Sequence, residues 1–97
     1  MSVNYYIEVT VSIVQGNLDD FSKYYLMFLG SIKPGDVDRD SLINLILYII
    51  WMRNRVDMLE WIYNNTAFDI DKALLIIPSG ICQDWLLNKK SLPMYSR

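Results

Sequence analysis

Eleven carboxylates, one thiol and no imidazole are the groups in this 97-residue chain from which acid–base or nucleophilic chemistry would have to be built. Histidine is the usual general acid–base and a frequent metal ligand, so its absence excludes Ser-His-Asp and Cys-His catalysis. The single thiol, Cys82, builds neither a disulfide framework nor a zinc site, and it reads as an inert core side chain. Asp36, Asp38 and Asp40 in GDVDRDS open like a calcium loop. Such a loop requires glycine at its sixth position and a bidentate glutamate at its twelfth. Those positions hold Ser41 and Leu47, so helix capping explains the acids better. Four scattered glycines, at 16, 30, 35 and 80, form no phosphate-binding loop. The expectation is a protein that is not an enzyme, with no cofactor and no metal.

Charge narrows the choice of partner. Residues 1–88 carry eleven acids against six Lys and Arg, a net of −5, while Lys89, Lys90 and Arg97 bring the whole chain to −2. Nucleic-acid binding needs clustered cations, which this distribution lacks. A basic protein partner suits it better. Hydrophobic residues make up 53% of the chain, with seven Tyr and three Trp. A domain this small buries roughly two-thirds or less of its unfolded surface, so an exposed apolar patch is expected. The longest apolar run, LINLILYIIWM at 42–52, includes Asn44 and falls well short of a membrane span of about 20 residues. With one cysteine and no leader-like N-terminus, the expected location is the cytoplasm.

The elements that must position these groups form a mainly α domain, α+β if a strand precedes the helices: a compact bundle of about five helices after one β-strand at 4–14. In NYYIEVTVSIV every second residue is apolar and many are β-branched, which is a strand signal. Asp19 and Asp20 open a helix whose stripe is Phe21, Tyr24, Tyr25, Phe28 and Leu29, with Gly30 as its stop. Pro34-Gly35 makes a turn. The next helix, through 42–52, is apolar on nearly all sides and belongs at the centre. A break at Arg53-Asn54-Arg55 leads to a stripe of Val56, Leu59, Ile62 and Tyr63. Asp69 or Asp71 caps a short helix, and 81–90 forms the last. One domain, 1–97, is expected, with a loose tail at 91–97.

Three segments share a turn followed by an amphipathic helix: GNLDDFSKYYL (16–26), NRVDMLEWIYNN (54–65) and SGICQDWLLNKK (79–90). Each is similar to the inner half of an ankyrin-type helix pair. The T-P-L-H opening of that family is absent, and Trp61 to Trp85 spans 24 residues where the family runs about 33. The likeness is one of helical hairpins. Carried through, it implies a helix over 4–14.

The function expected from all this is a non-catalytic protein-binding domain that inhibits or neutralises a basic partner, as immunity proteins, antitoxins and phage-type inhibitors of nucleases do. Glu8, Asp19, Asp20, Asp57 and Glu60 are the candidate acids, with Tyr6 and Tyr25 as aromatic anchors. The alternative is a self-assembling structural or scaffold protein, such as a viral one, with ankyrin-like helix pairs as a variant. A strand at 4–14 would favour a homodimer by pairing across a two-fold axis, ahead of internal pairing with 66–70 or addition to another protein's sheet.

Overall fold

The computed structural model describes residues 5–33 and 37–91. They form six helices: α1 (Tyr6–Gln15), α2 (Leu18–Ser31), α3 (Val37–Met52), α4 (Val56–Asn65), α5 (Ile70–Ile76) and α6 (Ile81–Ser91). The expected turn at Pro34-Gly35 and the tail at 92–97 lie outside the described residues, as does Asn4.

The N-terminal strand is not formed. Residues 6–15 are helical, and no strand occurs among the described residues. Val9 and Ile13, four apart, point into the core, and Ser12 is buried beside them. Two polar residues that suggested a strand bond back into the helix instead: the Ser12 hydroxyl donates to the Val9 carbonyl at 2.6 Å and the Thr10 hydroxyl to the Ile7 carbonyl at 2.8 Å. Burial of the i, i+4 pair against α2 and α3 thus outweighs the β-branched composition.

The helices form three consecutive hairpins. At the end of α1, Gly16 takes a left-handed φ of 71°, its N–H donates to Ile13 and the Asn17 N–H donates to Ser12. That is a Schellman stop. Asn17 then caps α2, accepting from the Asp20 N–H at 3.0 Å. The same device ends α3: Asn54 has φ 54°, its N–H donates to Trp51 and the Arg55 N–H donates to Ile50. The polar break at 53–55 is therefore a true helix stop, whereas Gly30 lies inside α2 and stops nothing. Of the two candidates, Asp69 caps α5, accepting from the Lys72 N–H.

Each helix packs chiefly on its hairpin partner and on its neighbour in the same layer. α1, α3 and α5 make one layer and α2, α4 and α6 the other. The three turn-plus-helix segments singled out in the sequence are α2, α4 and α6, the second helix of each pair. The core runs between the layers: Val9, Phe21, Phe28, Ile46, Ile50, Met58, Leu59, Ile62, Cys82 and Leu86 are fully enclosed. Trp61 stands edge-on to both Phe21 and Tyr25, with ring centroids 5.9 and 6.1 Å apart. Trp51, Trp61 and Trp85 pack partly buried against this core.

Candidate functional site

Three features of the surface qualify as sites. The first is the outer side of the α1–α3–α5 layer. On α1, Ile7, Val11 and Val14 fall at i, i+4 and i+7, and on α3, Leu45, Tyr48 and Met52 fall at i, i+3 and i+7. All six are 42–60% exposed. Around each helix axis they lie opposite the residues that enter the core, Val9 and Ile13 on α1 and Ile46 and Ile50 on α3. The central helix is thus covered on only three sides, by α1, α4 and α5, and its fourth side is apolar and open. Its nearly all-round apolar sequence was the signal for this, once the layer arrangement is known. Leu75 on α5, 85% exposed, belongs instead to the cleft between α3 and α5.

The second is a cleft of about 450 Å³ between α3 and α5, floored by α2. Tyr25, Leu29, Ile43, Leu47 and Ala73 line its depth, and Arg39, Asp40, Asn44, Asp69 and Lys72 add polar groups. Of residues 66–70, the segment offered as an internal partner for a strand, 66–69 form a loop that is one lip of the cleft and Ile70 begins α5. Nothing in the sequence places these side chains together, since they come from four separate segments.

The third is the end of the second layer where α2 and α4 begin. Arg55 spans the two turns there: its Nη2 donates to the Gly16 carbonyl at 3.1 Å and to Asp57 Oδ2 at 2.7 Å. Of the expected acids, Asp19 and Asp20 sit in the first turn of α2 and Asp57 in the first turn of α4. Asp57 is already committed, pairing with Arg55 and accepting from the Met58 N–H. Asp20 is engaged by the Asn17 amide. Glu60 is exposed on α4. Glu8 stands apart, exposed in the first turn of α1, about 12 Å along that helix from the Gly16 turn.

The aromatic anchors divide. Tyr6 is half-buried and packs against the core. Tyr25 is 2% exposed and cannot anchor a partner; it is a core ring stacked on Phe21 at 5.4 Å. Burial pushes its phenol up to about 12, although the nearby Arg39 guanidinium pulls the other way. Burial likewise raises the Cys82 thiol, which disfavours the reactive thiolate. Among the described residues no group of acids, cysteines or histidines is arranged to hold a metal ion, and no helix is long and apolar enough to cross a membrane. The chain matches no family model, and neither a curated protein nor a solved structure is significantly similar to it.

Proposed function

We propose that this chain is a non-catalytic protein-binding domain that neutralises a basic partner by seating it on the outer side of the α1–α3–α5 layer. The observation that supports this reading is the pair of open apolar stripes, Ile7-Val11-Val14 and Leu45-Tyr48-Met52. Contiguous apolar surface on a small domain commonly marks a protein contact. The net charge of −2, with Glu8 beside the first stripe, favours a partner rich in Lys and Arg. Immunity proteins, antitoxins and phage-type nuclease inhibitors work by this chemistry. The test is affinity capture from native cells with the wild type and with Leu45→Lys/Met52→Lys. The expected result is a basic protein held by the wild type, lost by the variant and loosened by salt. Equal retention by both proteins, or a salt-indifferent acidic partner, overturns the reading.

A second reading, self-assembly, is favoured by the position of α1 at the open end of its layer. Pairing of strands across a two-fold axis has lost its basis, because the backbone of residues 6–15 bonds within a helix. The α1 stripe remains a surface through which two copies can meet. Sedimentation over a dilution series separates the readings: a dimer that Val11→Lys converts to monomer favours assembly.

A further inference from the structure

The cleft between α3 and α5 is independent of the open apolar stripes, and its lining is that of a small-molecule site. Its volume of about 450 Å³ falls within the range of ligand pockets, roughly 300–1,000 Å³. An apolar floor with a few polar groups at the mouth is the usual composition of such a pocket. The sign of the ligand follows from which polar groups are already engaged. Asp69 accepts from the Lys72 N–H as the α5 cap. Asp40 lies in the first turn of α3, where the helix dipole already stabilises its charge. Arg39 gives one Nη1 bond to the Ile32 carbonyl, and a guanidinium has five donors. The Lys72 ammonium makes no hydrogen bond or ion pair among the described residues. The free capacity at the mouth therefore belongs to two cations, Arg39 and Lys72, against one carboxylate, Asp40, that makes no hydrogen bond among the described residues. Two acids at the same mouth disfavour a multiply charged ligand.

We infer that this cleft binds a small amphipathic monocarboxylate, its apolar body against Tyr25, Leu29, Ile43 and Leu47 and its carboxylate between Arg39 and Lys72. Octanoate is the probe, with octanol and octylammonium as neutral and cationic controls, followed by amide chemical shifts of the full chain. Octanoate is expected to shift Asn44, Ala67, Phe68 and Lys72 saturably, with a Kd of about 1 mM. Octanol and octylammonium should bind at least about fivefold more weakly. Lys72→Ala should weaken octanoate about threefold to tenfold. Ala67→Trp, which fills the mouth, should abolish the shifts. Both positions are exposed, so neither variant threatens folding. Shifts confined to Leu45, Tyr48 and Met52, preference for octylammonium, or undiminished binding by Ala67→Trp overturns the assignment. None of these outcomes bears on whether a protein docks on the apolar stripes.

Discussion

Two side chains hold disproportionate consequences for the domain, and both work through atoms other than those that draw attention in the sequence. Arg55 ties the first hairpin to the second through the Gly16 carbonyl and through Asp57. Its Nε is buried without a partner. Arg55→Met keeps the aliphatic stem and removes both bonds, so a loss of about 1–2 kcal/mol in urea denaturation is expected. Asp57→Asn should cost under about 1 kcal/mol, because the ion pair is partly exposed and the amide can still accept from Met58. A larger loss from Asp57→Asn than from Arg55→Met would show that the ion pair, not the Gly16 tie, joins the hairpins. Tyr25 sets a pH limit. Its phenol is raised in the folded state from 10.0 to about 12 by burial. The unfolded chain therefore loses this proton first as pH rises, and the folded state is penalised. Stability from this group is intact below pH 10 and falls between about 10 and 12, by roughly 2–3 kcal/mol in all. Comparing alkaline denaturation of the wild type with Tyr25→Phe isolates the effect, and the variant should show the shallower decline. Parallel curves would mean that the ring reaches solvent.

The elements carry a sharper lesson about reading apolar pattern as burial. In residues 4–14 the alternation was real, but it arose from two faces, since Val9 and Ile13 go inward while Ile7 and Val11 go outward on the same helix. A rule that places every apolar residue inside turns such a helix into a strand. In α3 the nearly all-round apolar pattern placed the helix at the centre, and it is covered there on several sides, but the pattern did not tell which side stays open. The capping signals, being local and polar, were more faithful: the turns at Gly16-Asn17 and 53–55 and the Asp69 cap were legible because their hydrogen bonds close within a few residues. The open stripe and the cleft depend on which helices lie side by side, which no local pattern encodes. The two faces of α3 give a direct test. Ile46→Ala and Ile50→Ala, at enclosed positions, should each cost about 2–5 kcal/mol. Leu45→Lys and Met52→Lys, on the open side, should stay within about 0.5 kcal/mol of wild type. Severe destabilisation by the lysine variants would mean that the outer side is covered in the folded protein.

At the scale of the whole molecule, the packing is nearest-neighbour along two parallel rows. The radius of gyration is 13.4 Å and the extents are 46 × 29 × 21 Å, against about 12.5 Å for a compact domain of this length. Such an arrangement distributes stability unevenly. The middle hairpin, α3–α4, is packed against neighbours on both flanks, whereas α1–α2 and α5–α6 each have one flank. In repeat-like architectures stability is close to a sum of unit and interface contributions, so the ends open at lower cost than the middle. The terminal interfaces are also not equivalent. The first is reinforced by Arg55 and by the rings of Phe21, Tyr25 and Trp61. The last joins α6 to α4 through Leu86, Cys82 and the Tyr63 ring edge-on to Trp85 at 5.6 Å. But α5 is short, with Ala73 its one enclosed residue, and is tied to α3 by the Trp51 indole N–H donating to the Ser79 carbonyl at 3.2 Å. Native-state hydrogen exchange should therefore rank the amides: those of α3 and α4 opening near the global free energy, those of α1 and α2 somewhat below it, and those of α5 lowest. Uniform protection across all six helices would mean one indivisible cooperative unit, and the nearest-neighbour account of this fold would have to be abandoned.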